Sequence, residues 1–186
     1  MTADLATTLL DQVAPVWSER LVLGQDVAAS PERTMEAVRA TTLGEARFAS
    51  LLVAVRTRGR SLGSDLPFVQ TGDFEPGFVR LGESEREVCI GFVGRPWPGG
   101  APEPAPADAD GFRDREALDC VKVAVSIRCG AAAYGTLLVT ETRIVVGPLA
   151  ERPFGLYWRL VRPASNAVRR SLLRAIARCA EAGTLS

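Results

Sequence analysis

Two charged residues on one predicted strand have the spacing to act together. Glu141 and Arg143 are two positions apart, so they share a strand face, which also carries Leu137 and Val139. If that face lies in the core, burying both charges costs several kcal/mol unless they pair. A desolvated Glu141 could then act as a general base or, with Arg143, orient a polar ligand group. The alternative is a structural salt bridge that fixes the end of the strand to the C-terminal helix.

Aromatic residues form the second candidate set. Trp97, Tyr157 and Trp158 can line a cavity with their polar tips directed at a ligand, or they can pack as core at the base of a helix. A reactive cysteine would need exposure and nearby positive charge, and none of the four forms a Cys-x-x-Cys pair. The cysteines that we predict to be buried thiols are Cys89, Cys120, Cys129 and Cys179.

The absence of histidine removes several classes of chemistry. It excludes Ser-His-Asp and Cys-His catalysis and metal sites with histidine ligands. The glycine-rich segment 59–63 lacks the spacing and the lysine of a phosphate-binding loop, and no dinucleotide fingerprint joins a strand to a helix. We interpret Asp108 and Asp110 as solvated charges, since no dense acidic cluster surrounds them. We expect neither a metal nor a cofactor.

Size and charge restrict the expected partners. The 186 residues suit one domain with a sizeable core, and 22 basic residues balance 22 acidic ones. A neutral chain gives no electrostatic reason to expect nucleic acid. No apolar run approaches the ~20 residues of a membrane span, and residues 1–16 carry acids but no base, unlike an export signal. We therefore expect a cytoplasmic monomer or homodimer without an integral membrane segment.

The first quarter of the chain predicts helices on either side of one strand. Apolar residues at helical spacing in 1–16 indicate a short N-terminal helix that ends at Pro15. Alternation between apolar and polar residues in 17–28 indicates the first strand. Two helix starts follow this strand: Ser30 before Pro31, and Thr42 three residues before Glu45 in a capping box.

The middle of the chain predicts four further strands, each rich in β-branched or aromatic residues. They are Phe78–Leu81, Glu87–Gly94, Cys120–Cys129 and Tyr134–Val146. The segment 95–115 contains five prolines, which exclude a helix or the interior of a strand where they occur. We interpret it as an extended or partly disordered connection across a sheet edge or the mouth of a cavity.

The segment from Phe154 to Glu181 predicts an amphipathic helix. Pro163 lies inside it, so we expect a kink or a break into two helices. Arginines form a basic strip on the face opposite the apolar one. This strip is either a solvated face or a surface for phosphate, anionic lipid or an acidic partner. The apolar face holds Val168, Leu172, Ala175, Ile176 and Cys179, and the basic strip holds Arg162, Arg169, Arg170, Arg174 and Arg178.

Strands grouped in the middle and helices at the ends favour an α+β fold with a curved antiparallel sheet around a long C-terminal helix. Three local motifs add to this order: Ile90 to Trp97 with its Gly-Arg-x-Trp turn, Thr140-Glu141-Thr142-Arg143, and Phe154-Gly155-x-Tyr157-Trp158-Arg159-x-x-Arg162-Pro163 followed by Ser165 and Arg169-Arg170. The chain resembles the START-like or polyketide cyclase/dehydrase (SRPBCC) superfamily, within which these motifs resemble a bacterial branch of unknown function.

The resemblance implies a single helix-grip domain over 1–186, with 1–16 as an N-terminal extension and two short helices after the first strand. It also implies a cavity between the sheet and the C-terminal helix, which holds apolar molecules in relatives. We therefore expect an apolar or amphipathic small molecule to bind there. The expected ligand contacts are Trp97, Glu141, Arg143, Tyr157 and Trp158.

Two other functions stay open, because the fold does not choose the function. The chain can be a cofactor-free cyclase, dehydratase or isomerase acting on a ketide-like substrate. Without histidine, acid–base work would then fall to Glu141, another buried carboxylate, Tyr134 or Tyr157. It can also be a protein-interaction module with a vestigial pocket, in which the basic helix and the proline-rich segment meet a partner.

Overall fold

The computed structural model describes residues 7–42 and 77–182. The predicted helix that begins at Thr42 and the glycine-rich segment 59–63 therefore fall largely or wholly outside the described residues. The α+β fold is confirmed. In chain order, the described elements are α1 (Leu9–Val13), β1 (Glu19–Val27), α2 (Pro31–Ala40), β2 (Phe78–Glu83), β3 (Glu87–Gly94), α3 (Ala109–Asp114), β4 (Val121–Ala132), β5 (Gly135–Val146) and α4 (Glu151–Ala182).

The strands of the described part form one five-stranded antiparallel sheet in the order β1-β5-β4-β3-β2. Its centre is the hairpin of β4 and β5, which pair from Val121 opposite Val146 to Ala132 opposite Gly135. Gly135 has a φ of 118°, a conformation that residues with a Cβ rarely adopt. β1 pairs with β5, so the first strand lies beside the last one.

The sheet has two covered faces, as the cross-strand partners show. Val123 is opposite Ile144 and Val125 is opposite Thr142, so these four side chains share one face, here called the helix face. The other face, called the outer face, carries Ala124, Ser126, Glu141 and Arg143. Residues of α2 and α4 cover the helix face, whereas α1 and α3 cover the outer face.

The C-terminal helix α4 is continuous over its 32 residues, with Pro163 inside it. The expected break into two helices is therefore wrong. A proline removes one backbone donor, but Pro163 is exposed, so water can satisfy the carbonyl group that loses its partner. Apolar side chains hold the helix against the sheet on both sides of the proline, among them Trp158 before it and Ile176 after it.

The proline-rich segment 95–115 contains a helix that the sequence analysis missed. Asp108 begins α3 by accepting a 2.8 Å hydrogen bond from the amide of Gly111, so this acid is a helix cap. Phe112 is fully buried on the outer face. The amine of Lys122 donates to three carbonyl groups at the end of this helix, those of Phe112, Arg113 and Arg115. The segment is thus fixed on the sheet.

Candidate functional site

The middle of α4 packs less closely on the sheet than its two ends do. At one end, Phe154 and Trp158 belong to a buried cluster with Ile144. At the other end, Leu172 and Ile176 belong to a second buried cluster. Between the two clusters, none of the residues 161–171, all of which the structure describes, is fully buried. Val168 packs against the second cluster, but over these three turns no residue of the helix is fully enclosed.

The helix face of the sheet is also incompletely buried beneath the middle of α4. Val123 and Val125 lie on the helix face of the central strand β4, yet both are only half-buried. On the same face of the same strand, Val121 is 0% exposed and Ile127 is 2% exposed. Phe92, the neighbour of Val123 on β3, is also half-buried. We call this partly open space between the middle of α4 and the helix face the cleft.

Three buried polar atoms without hydrogen-bond partners lie on the two surfaces that bound the cleft. They are Thr142 Oγ1 on the sheet and Trp158 Nε1 and Arg169 Nη1 on α4. The described part of the chain has one other such atom, Arg95 Nε. A buried polar group without a partner costs about 1–3 kcal/mol, so three around one space need an explanation. A ligand with polar groups would supply the missing partners.

Arg169 points toward the sheet although it is charged. At about 100° per residue, it lies within about 20° of Trp158 and Ile176 around the helix axis. Its Nη2 donates to Ser165 Oγ at 3.0 Å, one turn earlier in α4. Burial lowers the pKa of the guanidinium to about 10. Arg169 is therefore not part of the solvated basic strip, whose other members are exposed: Arg162, Arg170, Arg174 and Arg178.

The three aromatic residues predicted as ligand contacts come together in the structure. Trp158 is buried and stacks on Phe154, with 5.5 Å between ring centroids. Tyr157 contacts the same phenyl ring at 6.4 Å, and Trp97 packs against this cluster. The rings pack as core at the base of α4, and the indole N–H of Trp158 has no hydrogen-bond partner. Their role as ligand contacts stays a prediction.

Glu141 and Arg143 share a strand face, but it is the outer face, on the other side of the sheet from Trp158. Arg143 Nε donates to Glu141 Oε1 at 2.8 Å, and Arg20 Nε donates to the same oxygen at 2.8 Å. Arg143 Nη2 also donates to Asp11 Oδ1 at 2.7 Å, which ties α1 to the sheet. The pair is a salt bridge, as the structural alternative predicted, but it links β5 to β1 and α1, not to the C-terminal helix.

The electrostatics of Glu141 suit a structural carboxylate. Burial acts to raise its pKa, but the hydrogen bonds from Arg20 and Arg143 outweigh burial, so the pKa lies below its usual value. A general base that works near neutral pH needs the opposite shift. The carboxylate oxygens are also occupied by these two arginines. The structure thus offers Glu141 as an anchor of the outer face.

The cysteines divide into buried and exposed thiols. Cys89, Cys120 and Cys129 are buried, as predicted. Burial raises the pKa of all three thiols, that of Cys129 to about 11, which keeps them protonated and unreactive. Cys179 is exposed, which contradicts its predicted place on the apolar face of α4.

The described residues hold neither a metal-binding cluster nor a membrane-spanning helix. Over 7–42 and 77–182, histidine, cysteine, aspartate and glutamate side chains form no group of three that could hold a metal ion. Among the helices that the structure describes, none is long and apolar enough to cross a membrane.

Sequence reasoning missed Thr142 and misassigned Arg169. Thr142 lies two positions before Ile144 on β5, so the period of two in a strand places both side chains on the same face. Arg169 follows Trp158 by eleven residues and precedes Ile176 by seven, which are about three and two helical turns. Both signals are visible in the sequence once spacing is given more weight than residue type.

The comparisons with known proteins concern the fold. No protein-family model matches the chain, and none of the curated proteins matches it. Among solved structures, it is similar to protein MLL2253 from Mesorhizobium loti, with 12% identity over 86% of this chain and 98% of that one and a TM-score of 0.40. It is also similar to the di-domain ARO/CYC StfQ from the steffimycin biosynthetic pathway, with 10% identity over 90% of this chain and 52% of that one and a TM-score of 0.40.

A third similar structure is that of Ara h 8.0201, with 12% identity over 85% of this chain and 97% of that one and a TM-score of 0.30. At these identities the likeness is one of fold alone. The chain has the antiparallel sheet and the long C-terminal helix that the resemblance implies.

Proposed function

We propose that the chain binds one apolar or amphipathic small molecule in the cleft. The observation that carries this proposal is the half-burial of Val123 and Val125 on the central strand, beneath three turns of α4 in which no residue is fully buried. A space bounded by apolar side chains with a few polar groups is the usual composition of a small-molecule site. An apolar ligand gains free energy by covering these side chains.

The polar atoms around the cleft would orient the ligand. Trp158 can donate one hydrogen bond through its indole N–H, and Thr142 can donate or accept through its hydroxyl group. Tyr157 and Trp97 lie beside Trp158 and close the cleft at the base of α4. In this proposal Glu141 and Arg143 do not contact the ligand, since they lie on the outer face and bind each other.

A bulky residue on the floor of the cleft tests this function. We expect Val125→Phe to weaken binding of dodecanol, a neutral amphiphile, by ~10-fold or more, because the larger ring fills the space that the alkyl chain would occupy. The matched control is Val22→Phe, at a 45% exposed position on the outer face of β1. It should bind dodecanol as the wild type does. Native mass spectrometry and isothermal titration calorimetry measure the bound fraction and the affinity.

Two results contradict the proposal. One is a wild-type protein that retains no dodecanol in either measurement. The other is a Val125→Phe variant that is folded by circular dichroism and binds dodecanol as tightly as the wild type. Equal loss in Val125→Phe and Val22→Phe would place the binding elsewhere and overturn the cleft as the site.

A further inference from the structure

We infer that the ligand of the cleft carries a singly charged oxyanion, such as a carboxylate, and that Arg169 binds it. This inference rests on the proposed function and adds the chemical class of the ligand's polar end. It also assigns a recognition role inside the cleft to a residue that the sequence analysis grouped with the basic strip.

Two cations in the described part of the chain are fully buried, and each has its partners within the protein. Arg143 is 4% exposed and binds Glu141 and Asp11. Lys122 is 7% exposed and donates to three backbone carbonyl groups. A positive charge removed from water is costly unless an acid or several acceptors compensate it, and both of these cations obey that rule.

Arg169 departs from the rule. No salt bridge involves it within the described residues, and its one hydrogen bond goes to the neutral hydroxyl group of Ser165. Its Nη1 is buried and has no hydrogen-bond partner. Burial is the cause of its lowered pKa, about 10, and the guanidinium still carries its charge at neutral pH. The partner that this charge lacks in the protein is the one that an anionic ligand would bring.

The geometry of arginine limits the class of anion. A guanidinium donates parallel hydrogen bonds that match a carboxylate, and such charge-assisted bonds are stronger than neutral ones. The Ser165 hydroxyl group holds Nη2 against the helix, which leaves Nη1 to bind a ligand oxygen. One guanidinium balances one negative charge, so a monoanion fits better than a phosphate dianion. The alkyl or ring portion of the ligand would then lie over Val123 and Val125.

The test compares two ligands that differ only in the polar end. Dodecanoate and dodecanol have the same chain length, and at about pH 8 the carboxyl group is fully ionised. By isothermal titration calorimetry, the wild type should bind dodecanoate ~10-fold or more tightly than dodecanol. Arg169→Gln should lose this preference while still binding dodecanol. Arg170→Gln, at the exposed neighbouring position, should keep the preference.

The outcomes separate this inference from the proposed function. If the wild type binds both ligands equally, or Arg169→Gln keeps the preference, the inference is overturned and the cleft still binds an amphiphile. If neither ligand binds, both the inference and the proposed function are overturned. The wild-type comparison needs no variant, so the test stands even if Arg169→Gln folds poorly. Arg169→Lys, which retains the charge without the planar fork, should keep part of the preference.

Discussion

Arg143 and Arg169 both have buried guanidinium atoms, but among the described residues only Arg143 forms salt bridges with acids. Arg143 binds Glu141 at 2.8 Å and Asp11 at 2.7 Å, so three charges fix α1 to the outer face. Over 7–42 and 77–182, the hydrogen-bond partner of Arg169 is Ser165 alone. At the residue scale, charge pairing therefore separates a structural cluster from the residue that we propose to bind an anion.

The loss of stability at acid pH tests the outer-face cluster, which consists of Asp11, Glu141 and Arg143. Burial raises the pKa of Asp11, but hydrogen bonds from Arg143 and Thr8 outweigh it and bring the pKa to about 2, below the usual 3.8. A pKa lowered by folding gives stability that is present above about pH 4 and is lost as pH falls toward 2. We expect Asp11→Asn to lose at most about 1 kcal/mol near pH 7, because this carboxylate is 42% exposed and screened by solvent.

The same variant should change the shape of the curve. Between pH 4 and pH 2, the wild type should lose stability more steeply than Asp11→Asn, since the variant has no carboxyl group to titrate at this position. Urea denaturation followed by circular dichroism at several pH values measures both curves. Parallel curves for the two proteins would show that the Asp11–Arg143 pair contributes nothing to stability.

At the scale of elements, the spacing along β5 predicts that Glu141 and Arg143 share a face, but it cannot tell which face. From Thr140 to Ile144 every residue is buried, because α1 and α3 cover the outer face and α2 and α4 cover the helix face. A strand with one solvated face shows a contrast between polar and apolar positions, and a strand buried on both faces loses it. The fold was predictable, whereas the orientation of this pair was not.

In the long helix α4, tertiary packing overrides two expectations based on local sequence. Pro163 predicts a kink or a break, yet α4 continues because clusters around Trp158 and Ile176 fix it on both sides of the proline. The charge of Arg169 predicts a place on the polar face, although its spacing from Trp158 and Ile176 places it toward the sheet. Its burial depends on how α4 packs on the sheet between these two clusters, which no local pattern encodes.

The packing of α3 on the sheet depends on a glycine. A Cβ at Gly91 would lie 2.8 Å from Cε2 of Phe112 and 3.0 Å from Cδ1 of Leu81. Phe112 is fully buried, so its ring cannot move without displacing α3 from the outer face. We expect Gly91→Ala to lower the free energy of unfolding by about 1–3 kcal/mol. Urea denaturation measures this change.

A second glycine gives the matched control. At Gly130 on β4, a Cβ would meet its nearest atom, the carbonyl oxygen of Leu137, at 3.9 Å, which is ordinary contact. Gly130→Ala should therefore change stability by less than about 0.5 kcal/mol. If Gly91→Ala proves as mild as Gly130→Ala, the close packing of α3 against β3 does not hold.

At the scale of the whole molecule, the sheet separates two tasks. The outer face carries α1, α3 and the cluster of Glu141, Arg143 and Asp11, all of which are matched within the protein. The helix face carries two packed clusters with the cleft between them, and the unmatched polar atoms of Thr142 and Trp158 border it. Stability therefore rests largely on the contacts of the outer face and of the two packed clusters. The residues around the cleft do not take part in most of these contacts, so the fold does not require the cleft to be tightly packed.

This separation predicts opposite effects for variants on the two faces. Glu141→Gln removes the charge that compensates the buried Arg143, so it should lower the free energy of unfolding by about 3 kcal/mol. It should leave the affinity of the folded protein for dodecanol within about 2-fold of wild type, because the Glu141 side chain lies on the outer face, on the other side of the sheet from the cleft. Val125→Phe should do the reverse, with weakened binding and a smaller change in stability. Calorimetry and urea denaturation on the same samples measure both quantities. Loss of affinity in folded Glu141→Gln as large as that in Val125→Phe would show that the two faces are coupled, and the outer-face carboxylate would then belong to the binding site after all.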